Sequence, residues 1–421
     1  MGCVRRLVLR PRVFRLAVLV LFFLVILLLN RYLLNPSSPS GLHRTFLQSR
    51  HIRSYPILTQ PRCNRLQPAR PKAGPSLGSL GPLSNGSSHN AGGTPCQGAC
   101  PSPNSSPIFL LLAIKSHPAD SARRAAVRAT WGRVRVWKGE TVSRVFLLGV
   151  EEAESEHGVR EESNRYGDIL QWSFIESFFN VTLKEVLFWN WFQQECSQTV
   201  LYVLKGDDDV YVDVERIVGL LQGRESAMGR RKSGEIGQEM ESSSEPARET
   251  RQGTKRLNET KANTKTTPAA PTQPLYMGHV FVDTHPVRIW WNKYYVPYSL
   301  YTGPYPPYTG GGGYLLCREA LSRLHQASAR VSLFPIDDAF VGLVAQAANI
   351  SATHHPDFMP VEYSHYKHPC NYAKRLMVLH QLLPHDLLHL WSFLQTQGQS
   401  CKQPGWDRFG WKHFFSGWIY T

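Results

Sequence analysis

The run Leu201-Tyr-Val-Leu-Lys205-Gly206-Asp207-Asp208-Asp209-Val210-Tyr211-Val212 constrains this chain more than any other stretch. An apolar segment ends in consecutive carboxylates, and apolar sequence resumes at once. A strand that is apolar along its length, rather than alternately, is buried on both faces, as in a parallel sheet covered by helices. Adjacent carboxylates repel one another unless a cation neutralises them. Carboxylate oxygens suit hard divalent ions, which also bridge phosphates. In open α/β sheets, ligands bind where such strands end. The spacing excludes a calcium loop: counted from Asp207, the sixth position is Val212 and not Gly, and the twelfth is Val218 and not Glu. A solvated acidic turn is the plain alternative.

The neighbouring segments supply the rest of such a sheet. Ile108–Ile114, Val142–Val150, Asp168–Ser173 and Thr199–Leu204 have the length and composition of buried strands. Between them, Ala122–Trp131, capped by Asp120 or Ser121, and Thr182–Cys196 have helical character. Strands alternating with helices predict an α/β fold with a mostly parallel sheet. Residues 223–273 are rich in Ser, Glu, Lys, Arg and Thr and hold almost no large apolar side chain, so a disordered insertion is expected there. Fold signal resumes at Leu275 and runs to Leu390. A Trp- and Phe-rich tail, 401–421, is expected to pack on the domain.

The N-terminus carries Arg5, Arg6, Arg10, Arg12 and Arg15 ahead of an uncharged apolar run, Leu16–Leu29. With its flanks, 13–34 reaches the roughly 20 residues a membrane crossing needs. A cleaved leader would need a small-residue cleavage site just after the run, and Asn30-Arg31-Tyr32-Leu33-Leu34 offers none. A signal anchor is therefore expected, with 1–12 cytosolic because arginines precede the span, and the remainder lumenal. Residues 35–106, rich in Pro, Ser, Gly and Asn, are expected to form an extended stem, leaving 107–400 as the main folded domain. Lumenal placement makes the sequons at Asn85, Asn104, Asn180, Asn258 and Asn349 candidate glycosylation sites. Beyond Cys3 the cysteine count is odd, so at least one thiol is expected outside any intrachain disulfide. The formal charge of +15 raises nucleic acid as a partner. The scatter of the basic residues, the apolar anchor and the lack of a basic–aromatic repeat count against it.

Two further elements carry chemistry. Tyr305-Pro-Pro-Tyr308-Thr-Gly310-Gly-Gly312-Gly313 fits no phosphate-loop or dinucleotide pattern. Its glycines would let backbone approach a ligand closely and its tyrosines could stack on a sugar ring; a flexible hairpin is the equal alternative. In Phe334-Pro-Ile-Asp337-Asp338-Ala-Phe, a carboxylate pair opens an apolar helix. The pair is either an N-terminal cap or a source of a general base, one carboxylate serving each role. A histidine from the group at 354, 355, 365, 368, 380, 385 and 389 could complete a metal site.

These motifs, in this order, resemble the β-1,3-glycosyltransferase family, which includes the β-1,3-galactosyltransferases and β-1,3-N-acetylglucosaminyltransferases. The resemblance rests on Phe109-Leu-Leu-Leu-Ala-Ile-Lys-Ser116, Arg123-Arg-Ala-Ala-Val-Arg-Ala-Thr-Trp-Gly132, Arg144-Val-Phe-Leu-Leu-Gly149, Phe178-Phe-Asn-Val-Thr-Leu-Lys-Glu185, Lys205-Gly-Asp-Asp-Asp-Val210, the glycine run and Phe334-Pro-Ile-Asp-Asp338. The Gly-Gly-Gly-Gly and Pro-Ile-Asp-Asp forms are more like the N-acetylglucosaminyltransferase branch. The resemblance implies a GT-A fold, manganese, UDP-GlcNAc as donor, a galactose-terminated glycan acceptor, residence in the Golgi membrane, and homo- or hetero-oligomers with other glycosyltransferases. Carried over by position, Asp209 and His380 would hold the metal, with Asp207 nearer the donor sugar or ribose. Asp338 would be the catalytic base, with Asp337 as the fallback. Lys115, Arg124, Arg128, Lys205, Asp208, Gly312 and Gly313 would line the nucleotide-sugar site. Long insertion 223–273, Ala339 and Cys317 depart from the usual pattern.

Overall fold

The computed structural model describes residues 18–28, 51–61, 107–151, 153–241, 273–289, 292–362, 370, 372 and 376–396. A central sheet runs, in spatial order, β1 (Ile57–Thr59), β5 (Ile169–Ile175), β4 (Glu140–Val150), β2 (Ile108–Lys115), β6 (Val200–Asp207), β9 (Tyr308–Cys317), β8 (Tyr276–Phe281) and β10 (Thr353–His354), with β3 (Val136–Trp137) paired to β4. The four strands β5, β4, β2 and β6 are parallel neighbours, and β9 lies antiparallel between β6 and β8. A small second sheet joins β11 (Phe358–Glu362), β12 (Val378–His380) and β7 (Tyr211–Val212). The helices are α1 (Ser121–Ala129), α2 (Ala153–Tyr166), α3 (Val181–Trp191), α4 (Val214–Glu241), α5 (Arg318–Ser328), α6 (Asp337–Ala347) and α7 (Pro384–Thr396). The expected α/β architecture with a central sheet between helices is present, but the sheet is mixed and not mostly parallel, because β1 runs antiparallel to β5 and β9 runs antiparallel to both β6 and β8.

Strand β2 is buried along its whole length, and successive side chains point to opposite faces. Leu111 and Ala113 join one core with Phe188 and Trp189 of α3 and Phe340 of α6. Leu110, Leu112 and Ile114 join a second core with Val127 of α1, Ile217 and Val218 of α4 and Leu390 of α7. Trp189 stacks on Phe340 with ring centroids 6.1 Å apart. Two cores on two faces explain why the strand is continuously apolar. They also leave the ends of β2 and β6 side by side at one edge.

Several expectations meet a different outcome. Part of the expected stem is built into the domain: β1 pairs with β5, Tyr55 meets Phe174 edge-on at 5.8 Å, and Arg53 donates to Ser328 O and Val331 O at 2.6 and 2.5 Å. The segment lacks helical or strand periodicity, so only the pairing partner reveals it. Helix α4 continues to Glu241, past residue 223 where structureless chain was expected; Glu, Met, Arg, Lys and Gln sustain a helix without an apolar stripe. Residues 242–272 and 397–421, which include the expected tail 401–421, and the sequons at Asn85, Asn104 and Asn258 lie outside the described residues. Of the apolar N-terminal run, 18–28 is helical. Among the described residues no helix is long and apolar enough to cross a membrane. Cys317 is a free thiol, while Cys196 and Cys370 are disulfide-bonded.

A buried ion cluster fastens α1 to the sheet. Asp168, 1% exposed, accepts from Arg128 Nη2 at 2.7 Å and Arg144 Nε at 2.8 Å. Burial alone would raise its pKa, but Arg128 and Arg144 hold its carboxyl below the ordinary range. Removing one partner of such a set strands the other charges in a poorly solvating interior. Asp168→Ala is therefore expected to cost about 3–5 kcal/mol, seen as a lower denaturation midpoint in urea. Asp168→Asn, which keeps acceptor geometry without charge, should fall between it and the wild type.

Candidate active site

The site forms where the parallel strands end. Register pairs Lys115 of β2 with Asp207 of β6, and Gly206 with Gly313 of β9. Lys115 is 5% exposed, and its Nζ lies 3.0 Å from Asp207 Oδ1 and 2.5 Å from Asp337 Oδ2. One ammonium thus joins the carboxylate run after β6 to the carboxylate pair that opens α6. Burial works against its charge, but Asp207, Asp337 and Glu185 raise its pKa well above the ordinary lysine value. Asp207 is held well below the usual carboxylate range: Lys115 and His380 outweigh the opposing effect of burial.

The small sheet delivers His380. Gln381 takes a left-handed conformation (φ 65°), which turns the chain so that Leu382 N donates to Asp209 O at 2.8 Å. His380 Nε2 then lies 3.3 Å from Asp209 Oδ1 and 3.6 Å from Asp207 Oδ2. Burial lowers the imidazole pKa, but the two carboxylates bring it up to about 9. One ligand atom from each of Asp207, Asp209 and His380 falls within 4.8 Å of the others. Asp209 Oδ1 and Asp208 Oδ2 are buried with no hydrogen-bond donor aligned on them. Two carboxylates and an imidazole, with a buried oxygen lacking a donor, fit a divalent cation such as Mn²⁺.

The pair at α6 divides its work differently from a cap. The N-cap is Ile336, which has no capping side chain. Asp337 is committed to Lys115, while Asp338 Oδ1 accepts from Ala339 N at 2.8 Å. Both carboxylates remain partly accessible. Burial, then the like charge of Asp337, push the Asp338 carboxyl up to about 7. Burial likewise pushes Asp208 up to about 7, against Ser116 and Arg123.

The glycine run is a strand and not a loose hairpin. A Cβ on Gly312 would meet His380 Cγ at 2.9 Å, one on Gly313 would meet Val378 Cγ1 at 2.8 Å, and one on Gly311 would meet Lys115 Nζ at 3.4 Å. The missing side chains leave room for His380, Val378 and Lys115. Tyr305 and Tyr308 are buried, with Tyr305 packed edge-on to Phe334 at 5.5 Å, so they are not free to stack on a sugar.

Three basic residues expected at the nucleotide are bound elsewhere. Arg124 is 0% exposed and spends its donors on Glu162, Ser116, His117 O and Pro118 O. Arg128 is held by Glu162 and Asp168. Lys205, 0% exposed, pairs with Glu185 at 2.9 Å, and Glu185 also accepts from Tyr314 OH at 2.9 Å. A groove of about 640 Å³ between α1 and α2 is lined by Arg124, Arg128, Glu162 and Arg165 and contains none of Asp207, Asp209 and His380. The arginine that does reach the site is Arg123: its Nη1 lies 3.2 Å from Asp209 Oδ2 and 3.7 Å from Asp208 Oδ1. Helix spacing puts 124 and 128 on one face and turns 123 about 100° away, but only the partners Glu162 and Asp168 show which face is buried. Of the sequons, Asn349 is exposed in a left-handed turn (φ 54°), whereas Asn180 is half-buried and its Nδ2 donates to Ile175 O at 2.8 Å.

The galactosyltransferase family profile matches residues 122–356. The chain is similar to N-acetyllactosaminide β-1,3-N-acetylglucosaminyltransferase 2 of Mus musculus, with 35% identity over 70% of this chain and 64% of that one. Similar too are N-acetyllactosaminide β-1,3-N-acetylglucosaminyltransferase 4 of Homo sapiens, 35% identical over 72% of this chain and 69% of the relative, and UDP-GlcNAc:βGal β-1,3-N-acetylglucosaminyltransferase 9 of Bos taurus, 35% identical over 70% and 68%.

The glycine contacts give a direct test. In Gly312→Ala the new methyl meets His380, whose neighbour strand cannot retreat without breaking the Leu382–Asp209 hydrogen bond. Mn²⁺ binding, followed by electron paramagnetic resonance, should weaken markedly while far-ultraviolet circular dichroism stays that of the wild type. Gly139→Ala, a left-handed turn with open space around it (φ 84°), should leave Mn²⁺ binding unchanged.

Proposed function

The chain belongs to the galactosyltransferase family, and we propose that it is an inverting hexosyltransferase that moves GlcNAc from UDP-GlcNAc to the 3-hydroxyl of a terminal β-galactose. One observation carries the reading: Lys115 holds the Asp207 and Asp337 carboxylates, far apart in sequence, at a single site. A transferase that joins a nucleotide-sugar to an acceptor needs its diphosphate-side and acceptor-side groups together in this way. GlcNAc as the donor sugar is supported by the names of the three similar proteins given above, each a β-1,3-N-acetylglucosaminyltransferase, and by the Gly-Gly-Gly-Gly and Pro-Ile-Asp-Asp motifs.

Asp207, Asp209 and His380 are the groups suited to hold Mn²⁺, which when bound would neutralise charge on the departing diphosphate. The chain's own residues account for the rest. Asp338 has its Oδ1 engaged by Ala339 N, so Oδ2 is the oxygen left to take the acceptor proton. As that proton leaves, the 3-hydroxyl oxygen bonds to the anomeric carbon, and the bond from that carbon to the diphosphate breaks with its electron pair on UDP. Attack from the face opposite UDP turns an α-linked donor into a β-linked product in one displacement. No covalent enzyme intermediate is required. Lys115 holds Asp337 fixed beside Asp338. A GT-A fold and a Golgi membrane location, with the apolar 13–34 run as a type II anchor and the catalytic domain in the lumen, complete the proposal; the charge pattern around that run supports it.

Asp338→Asn should lower transfer by about 10³-fold, within the usual range for losing a general base, while Mn²⁺-dependent UDP binding stays intact. Substantial residual turnover would remove Asp338 from this role. Incubation with UDP-GlcNAc or UDP-Gal and a panel of galactose-terminated acceptors, with the linkage read by NMR, tests the donor. Transfer from UDP-Gal alone would defeat the GlcNAc assignment.

The elevated Asp338 pKa sets two pH dependences. The base acts only when deprotonated, so kcat/KM should rise with pH and level off above about 7. Stability runs the other way. The folded state binds this proton more tightly than the unfolded chain, so stability falls as pH climbs from the ordinary carboxylate range through about 7. Asp338→Asn removes that loss, and its Tm should exceed the wild-type value at pH 8, with the gain shrinking towards pH 5.

A further inference from the structure

We propose that Arg123 is a diphosphate-binding residue that exchanges its contact with Asp209 for the nucleotide's phosphates, so that donor and divalent cation bind cooperatively. The inference rests on the metal and nucleotide reading of the site given above. Its starting point is the sharing of Asp209. Oδ1 of that carboxylate faces His380 and Oδ2 faces Arg123 Nη1, 3.2 Å away. A divalent cation drawn to Asp209 therefore competes with a guanidinium already resting on it. A cation on Asp209 weakens the attraction that holds Arg123 there, and phosphate oxygens on the same cation offer the guanidinium a new partner at the same place.

Arg123 is the basic group of the cluster best placed for this exchange. Lys115 and Lys205 are 5% and 0% exposed and are committed to carboxylates, whereas Arg123 is 29% exposed. Its carboxylate contacts, with Asp208 at 3.7 Å, Asp209 at 3.2 Å and Asp120 at 3.9 Å, are loose beside the 2.7 Å contact of Arg124 with Glu162. A guanidinium offers a planar pair of donors that matches two phosphate oxygens, which no carboxylate contact here uses in full. It is also carried on the first turn of α1, whose N-terminal end favours anions.

The exchange makes a prediction of opposite signs. Arg123 opposes the bare cation and assists the nucleotide. In Arg123→Ala, Asp208 and Asp209 lose a positive neighbour, so Mn²⁺ alone should bind several-fold more tightly. UDP in saturating Mn²⁺ should bind about tenfold more weakly, the size expected for a hydrogen bond to a charged group. The factor by which UDP tightens Mn²⁺ binding, equal by linkage to the factor by which Mn²⁺ tightens UDP binding, should shrink. Arg123→Lys keeps the charge and loses the paired donors, so it should bind bare Mn²⁺ like the wild type and recover only part of the UDP affinity.

The experiment is a Mn²⁺ titration of the full-length chain in detergent, followed by electron paramagnetic resonance, with and without UDP, for wild type, Arg123→Ala, Arg123→Lys and Asp209→Ala. Opposite shifts in the two constants for Arg123→Ala support the exchange, because a purely structural role would move both the same way. Unchanged constants, or a loss of both together, overturn it. Asp209→Ala separates this from the underlying reading: wild-type Mn²⁺ binding in that variant would defeat the metal site itself. Loss of binding there beside an unresponsive Arg123→Ala would defeat the exchange alone.

Discussion

The arrangement depends on one buried ammonium. Lys115 Nζ stands between Asp207 and Asp337, and without it two groups of carboxylates from different ends of the fold would be pressed together in a poorly solvating place. The neighbouring structure accommodates that cation. Gly311 leaves the space beside it open. Lys205 lies in the strand next to β2 and would repel Lys115, and indeed burial and the charge of Lys115 lower its pKa. Glu185, brought in by α3, neutralises Lys205 and takes a hydrogen bond from Tyr314. The residue before it, Lys184, donates to Ser116 O at 2.5 Å. Helix α3 therefore fixes the ends of both β2 and β6 with two consecutive side chains.

The same cation makes the two adjacent aspartates unlike. Asp337 has a counter-charge at contact distance; Asp338 has a like charge next door and one backbone N–H. Chemically identical groups become unlike when their surroundings differ, and here two adjacent positions suffice. The arrangement costs stability above neutral pH, since Asp338 is ionised where burial disfavours it. Strain of this kind concentrates where chemistry is done.

Much of this was legible in the sequence, for stated reasons. Strands β2 and β6 announce themselves because burial on both faces leaves largely apolar runs, and β4 and β5 because most of their buried side chains are apolar. The carboxylates after β6 and at α6 stand out because nothing in a folded core tolerates them unpaired. The side chains whose partners the sequence did not reveal were long and charged. Arg124 and Arg128 carry the charge a nucleotide wants, but which face of α1 is buried depends on Glu162 and Asp168, on elements well along the chain. Lys205 looked like a ligand contact because its partner, Glu185, belongs to another element. Glycines 310–313 invited a loop because their composition is a loop's; only the close approach of Val378 and His380 explains why a strand lacks side chains.

That close approach also says how the site is held together. Asp207 and Asp209 end a strand of the large sheet, while His380 ends a strand of the small one, and β12 pairs antiparallel with β7 just after the acidic run. The three cluster only if the small sheet packs on β9 at the distance two glycines permit. The Leu382–Asp209 hydrogen bond and the left-handed turn at Gln381 then set the height of the imidazole. Backbone contacts, which the long-range topology supplies, thus determine the spacing of the side chains. A conservative change at a glycine that carries no charge of its own is for that reason as consequential for the site as a change at one of its carboxylates.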